Sequence, residues 1–310
     1  GALILSGTNS YTGGNTVNAG ILRAGSTQAF GLASGSMTLA NTAGVLLDLN
    51  GLNNAVGPLS GGGASGGNVT LGSATLTING GGGNYSGVIS GTGGVTRTSG
   101  GTQTFNGCNN VYTGPTSLQG ATLNVDCLAN GGAASGIGAS GSASTNLIFN
   151  NGGLNYTGST VTIDRGFQLA GGASTIGVIS ASTTLEFTGA IVGGGSLNKA
   201  GAGTLVLSGT NSSTGNKQVS EGVLRAARTN AFGPQGVMTL NNTAGVLLDL
   251  NGFDTLVTSL NGGGAIGGNI SLGDAVLTII NGGHTYAGAI SGTGSLIKNG
   301  TADQALSGCN

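Results

Sequence analysis

The residues able to do chemistry in this chain are few and widely spaced. One histidine, His284, stands in NGGHTYAG (281–288), at a place equivalent to Asn84 in an earlier copy of the motif. Nucleophilic or general-base catalysis needs a partnered base, and no independent acid or second base accompanies it. Asp48 and Asp249 recur in identical VLLDLNG stretches, about two hundred residues apart. They therefore cannot flank one glycosidic bond at the roughly 5–9.5 Å that its hydrolysis uses. Asp164, Arg165 and Glu186 form the one concentrated polar cluster, and Arg165 and Glu186, about twenty residues apart, are expected to stack as an exposed charge ladder. One His and three dispersed Cys do not make a zinc site, and GGGASGGNVTL (61–71) lacks the Asp of calcium-binding nonapeptides. The expectation is no catalytic residue, no cofactor and no metal.

What positions such residues is a repeat. LSGTNSYTGGNTVNAGILRAG (5–25) returns as FNGCNNVYTGPTSLQGATLNV from Phe105 and as LSGTNSSTGNKQVSEGVLRAA from Leu207, and LSGCN opens a fourth copy at Leu306. The spacing is close to one hundred residues each time, which marks an array of stacked units. The chain is expected to be one continuous array over 1–310, with modules of roughly 1–100, 101–201 and 202–301 and the start of a fourth at 302–310. NTAGVLLDLNG (41–51) recurs unchanged at 242–252, while the second module diverges, so a longer A–B–A period is superposed. Both ends fall inside a repeat, and the expectation is that the natural protein continues.

Composition narrows what the unit can be. Gly supplies 68 of 310 residues, with eight basic and nine acidic residues and a formal charge of −1. So little positive charge leaves no stripe for phosphates, which argues against nucleic-acid binding. Regular Val, Leu and Ile with so few charges argue for a folded chain rather than a disordered one. No apolar run approaches the roughly 18 residues of a membrane helix. Gly interrupts nearly every helical window, and period-two alternation remains. Short strands are predicted at Met37–Leu39, Val69–Leu71, Thr75–Ile78, Thr160–Ile163, Thr184–Phe187, Thr204–Leu207 and Val276–Ile279.

These strands are too short and too poor in aromatics to close a sandwich, but a parallel β-helix suits them. Each coil of about twenty residues contributes two or three strands, whose inward aliphatics stack on equivalents one coil away. The fold class is all-β, a single-stranded parallel β-helix of about fourteen coils at about 22 residues each. Cys108 and Cys127, 19 residues apart, then lie about one coil apart and are disulfide candidates, with two buried small hydrophobes as the alternative. Cys309 is left unpaired or with an intermolecular partner, unless an equivalent of Cys127 follows further along the chain. Tyr11, Tyr112, Tyr156 and Tyr286 recur at repeat corners, where stacking between coils competes with a sugar-binding stripe.

The pattern LILSGTNSYTG (3–13), followed by Val17, Gly20 and Leu22, resembles the passenger-associated transport repeat of bacterial autotransporters. Closing motifs YSGVISGTGGV (85–95), FTGAIVGGGSL (187–197) and YAGAISGTGSL (286–296) fit the same family. The resemblance implies a right-handed β-helix displayed on the extracellular surface of a Gram-negative cell, exported by a C-terminal membrane barrel that this chain lacks. The resemblance alone does not single out one role; with no catalytic constellation among the residues, the expected function is a non-enzymatic stalk, adhesive surface or fibre-forming segment. Expected partners are copies of itself, end to end or laterally in filaments, and a host-cell or glycan ligand. A polysaccharide lyase or hydrolase on the same fold is the alternative.

Overall fold

A computed structural model describes residues 1–308, and the chain falls into two compact units, 1–154 and 155–310. The division lies within the second sequence module. Each unit is a β-solenoid in its own right. Every paired strand within them is parallel to its neighbours one turn before and after, and the one helical stretch among the described residues is a single 3₁₀ turn at Ser144–Asn146. Counted over both units, the turns number about fourteen.

In the first unit three files of strands run along the solenoid. One begins Ala2–Leu5, Ile21–Ala24, Leu46–Asp48 and Asn68–Thr70. The second begins Asn15–Val17, Met37–Leu39 and Leu59–Gly61. The third runs Asn54–Val56, Leu76–Asn79, Val95–Thr98, Thr116–Gln119 and Leu147–Asn150. Register is what makes the core. Leu22, Leu47, Val69 and Ile89 lie on one another in successive turns, all buried. Parallel strands pair like with like, so an aliphatic at one inward position needs an aliphatic at the same position one turn on.

The second unit repeats the plan. Leu185, Leu205, Leu224, Leu248 and Ile270 form one buried column. Phe167 meets Phe187 edge to face, with ring centroids 5.1 Å apart. The predicted strands Met37–Leu39, Thr184–Phe187, Thr204–Leu207 and Val276–Ile279 have those bounds in the structure, Val69–Leu71 and Thr75–Ile78 are each displaced by one residue, and Thr160–Ile163 begins one residue later, at Val161.

Successive turns take about twenty to twenty-four residues, as in Asn15 to Met37 and Met37 to Leu59. One turn of the first unit is longer: Thr116 pairs with Leu147, about thirty residues on. The surplus is a loop in the segment after Val125. It docks on the repeat's opening motif through Ser135 N donating to Asn110 O and Ala139 N donating to Tyr112 O.

Candidate functional site

Most sequence-derived candidates occupy structural corners of the solenoid. Cys108 and Cys127 sit one turn apart at the base of the long loop, with Cα atoms 5.3 Å apart and the sulfurs in contact. Asp126 beside them accepts a hydrogen bond from Gly107 N at 2.6 Å, fixing the same corner. Cys309 lies outside the described residues. Tyr112 and Tyr286 are buried, whereas Tyr11 is 40% exposed. The Tyr11 ring lies against Gly31 and the Tyr112 ring against Gly138, where any Cβ would stand within 2.7 Å of ring or backbone atoms. Tyr286 is not at a corner but ends the short strand Thr285–Tyr286 of the second unit, as Tyr85 ends Asn84–Tyr85 in the first. Their hydroxyls donate to Gly268 O at 2.7 Å and Gly67 O at 2.9 Å. Tyr156 is buried too, with its hydroxyl donating to Ser159 O at 2.6 Å.

His284 does not stand where Asn84 stands. Ala305 N donates to His284 O as Thr104 N donates to Gly83 O, so His284 occupies the place of Gly83, and Thr285 that of Asn84. Its Nδ1 is 2.8 Å from Ser259 Oγ, but Ser259 is fully buried and cannot meet a substrate. The expected Arg165–Glu186 ladder is also different. Thr162 is the residue in register with Glu186 and donates to its Oε2 at 3.0 Å, while Ser208 donates to Oε1 at 2.6 Å. Arg165 is buried rather than exposed, at 2%. Asp48 and Asp249 each bind the arginine one turn earlier, Arg23 Nε and Arg225 Nε, at 2.7 Å. Their second oxygens accept from Asn50 N and Asn251 N, which holds those two residues in the left-handed region at φ 52° and 50°.

Three cations in the core escaped the sequence reading. Arg97, Lys199 and Lys217 occupy inward positions, in register with aliphatics such as Ile78, Val219 and Leu197 respectively. Lys199 Nζ donates to the carbonyls of Gly201 at 2.7 Å and of Ala200 and Glu221 at 3.0 Å. Lys217 Nζ donates to Gly215 O at 2.7 Å and Ser213 O at 3.0 Å. Burial pushes both lysines down to about 8, with the Glu221 charge opposing the shift at Lys199. Burial likewise brings Arg97 down to about 10. The signal was present: Leu197 and Lys199 share one parity in SLNKA, so if one is inward both are.

A second missed device spans two turns. The strand Asn84–Tyr85 is only two residues long and leaves Leu59 without a backbone neighbour along part of its length. The Gln103 side-chain amide fills that gap: Oε1 accepts from Leu59 N at 3.1 Å and Nε2 donates to Leu59 O at 2.8 Å. Gln304 does the same to Leu260, at 3.0 and 2.8 Å. A side-chain amide has the same donor and acceptor as a peptide group, so it substitutes for the missing strand.

What remains accessible is the outer face. In the second unit Thr175, Asn198, Gln218, Thr239 and Asn261 form one outward file in register. A groove of about 220 Å³ runs beside it, lined among others by Ser196, Asn198, Asn216, Gln218 and Thr239. Among the described residues no group of three or more His, Cys, Asp or Glu could hold a metal ion.

The model of the passenger-associated-transport-repeat matches residues 1–24, 95–125 and 197–226. The whole chain is 55% identical, over 314 residues, to a stretch of the adhesin BmaC autotransporter of Brucella suis biovar 1 (strain 1330). It spans 9% of that protein's length. No solved structure matches it. Repeat matches at module spacing along parallel solenoid turns, together with 55% identity over the whole chain to an autotransporter adhesin, make the chain an autotransporter passenger segment carrying passenger-associated transport repeats.

Proposed function

We propose that the segment is a non-enzymatic adhesive and structural length of passenger, held outside the cell. The observation that carries this reading is the use of the ionisable side chains. The buried cations bind corner carbonyls, and Asp48 and Asp249 are each tied to an arginine and a backbone amide. His284 lines an open surface recess with Thr285 and Asp303, but its Nδ1 is engaged by the hydroxyl of the buried Ser259. The similar Brucella protein is called an adhesin, which favours contact with a host or other surface as the role of the outer face. Stacked turns extend reach in proportion to their number, and a neutral Ser, Thr and Asn surface stays hydrated without attracting polyelectrolytes.

Two finer readings belong to the same proposal. One continuous array over 1–310 would let such segments add end to end, and unpaired strand edges favour association into filaments. A cystine between Cys108 and Cys127 closes about one turn, which obstructs passage through a narrow export pore less than a bridge over a long loop would. Purified chain on beads tests the role: attachment to cells supports adhesion, and ligand-free growth in light scattering supports a fibre. Turnover of polysaccharide, lost on changing Asp164 or Arg165, would overturn the non-enzymatic reading.

A further inference from the structure

We propose that the outward file Asn198–Gln218–Thr239 of the second unit, with Ser196 and Asn216 beside it, is a binding site for a neutral, extended, β-linked glycan. The inference rests on the adhesive reading above and gives it a place and a ligand class. Three observations carry it.

The first is preorganisation. The amides of Asn198, Gln218 and Asn216 are each tied at one end and open at the other. Asn198 Oδ1 accepts from Ser220 Oγ at 2.7 Å, Gln218 Nε2 donates to Asn241 Oδ1 at 3.0 Å, and Asn216 Oδ1 accepts from Val237 N at 3.0 Å. This leaves the Nδ2 groups of Asn198 and Asn216 and Oε1 of Gln218 with hydrogen-bonding capacity but little freedom to lose on binding. The second is spacing. Asn198, Gln218 and Thr239 stand in register on three successive turns. Their donors and acceptors therefore recur about every 4.8 Å. That is close to the advance of one sugar along an extended β-linked chain, and the groove of about 220 Å³ gives such a chain a bed.

The third is charge. The lining includes one ionisable side chain, Lys217, which is 3% exposed and whose Nζ is held by the carbonyls of Ser213, Gly215 and Gln235. No cation is presented to a sulfate or carboxylate, so a neutral sugar fits and an acidic one does not. The corresponding file of the first unit opens with hydroxyls, Thr16, Thr38 and Ser60, and its amides Asn84 and Asn124 come later and are separated by Thr104, so amides on adjacent turns above a threonine distinguish the second unit's file.

The test uses the whole 310-residue chain in calorimetric titrations with cellohexaose, chitohexaose and a heparin hexasaccharide. Binding of either neutral hexamer, with heparin inert, is the expected result, and Asn198→Ala/Gln218→Ala should weaken it about tenfold or more. Thr38→Ala in the first unit should leave it unchanged. Thr239→Arg, which puts bulk and charge into the groove without removing an amide, should abolish binding and serves if the double variant melts early. Equal binding by all variants overturns the site. Silence toward both neutral hexamers also overturns it, and if chain-coated beads still attach to cells the adhesive reading survives without it.

Discussion

Lys217 Nζ reaches back four residues to the carbonyl of Ser213, at the corner where the other two copies of the repeat carry a tyrosine. In those copies Tyr11 donates to Asn15 Oδ1 and Tyr112 shares a hydrogen bond with Thr116 Oγ1, each at 2.7 Å. The pair has changed together: tyrosine with a short polar partner, or serine with a lysine long enough to occupy the space and cap the corner carbonyls. Coupling of this kind is measurable as a double-mutant cycle. Ser213→Tyr and Lys217→Thr should each lower the melting temperature, the first by overpacking and the second by leaving carbonyls unpaired. The double variant, which recreates the Tyr112–Thr116 pair, should be less destabilised than the sum by about 1–3 kcal/mol. Additive losses would mean that the two positions do not share a corner.

The same lysines set a pH dependence. Their folded values of about 8 lie below the ordinary 10.5, so below pH 8 both states hold the proton and stability is flat. Between about 8 and 10.5 the unfolded chain binds more protons than the folded one, and stability rises with pH. Tyr85 and Tyr286 act the other way. Burial raises both above the ordinary 10, so above that pH the unfolded chain alone ionises and stability falls. The urea midpoint should therefore be higher at pH 9.5 than at pH 7.5, and the rise should disappear in Lys199→Met/Lys217→Met. A midpoint falling over this window would contradict the buried placement of the two ammonium groups.

Much of this solenoid was legible because its physics is local. Met37–Leu39 and Thr184–Phe187 alternate cleanly, and parallel stacking needs no more than the same parity one turn later. The buried lysines were missed because charge overrides parity in any reading of a sequence, although SLNKA states the parity plainly. His284 was matched to Asn84 because Gly-rich corners tolerate a one-residue slip, and only the backbone bond from Ala305 fixes the count. The Gln103–Leu59 contact spans 44 residues, a separation no local pattern exposes. The amide groove was invisible for a related reason: Asn198, Gln218 and Thr239 become neighbours only once the turn length is known.

The cysteine pair offers a direct count. With Cys108 and Cys127 bridged, the unfolded, unreduced chain should titrate one thiol, and the reduced chain three. Closing a loop of 19 residues should stabilise the fold by about 3 kcal/mol on the chain-entropy argument. Cys108→Ala/Cys127→Ala should therefore lower the urea midpoint without changing the thiol count of the unreduced chain. Three reactive thiols before reduction would remove the bridge from the proposal.

The two-turn amide is the sharpest test of how the solenoid tolerates a missing strand. Gln103→Leu keeps the apolar volume but strands the N–H and C=O of Leu59 in a fully buried place, at a cost of about 2–4 kcal/mol for the two groups. Gly83→Ala should hurt through the same contact, because a Cβ at residue 83 would collide with Gln103 Oε1 and with Leu59 O. Hydrogen exchange separates this from a general loss of packing. Faster exchange at Leu59 N, with Leu22, Leu47 and Val69 still protected, marks a lost peptide mimic. Leu59 remaining as protected as before would show that the amide is a passenger in the gap and not its substitute strand.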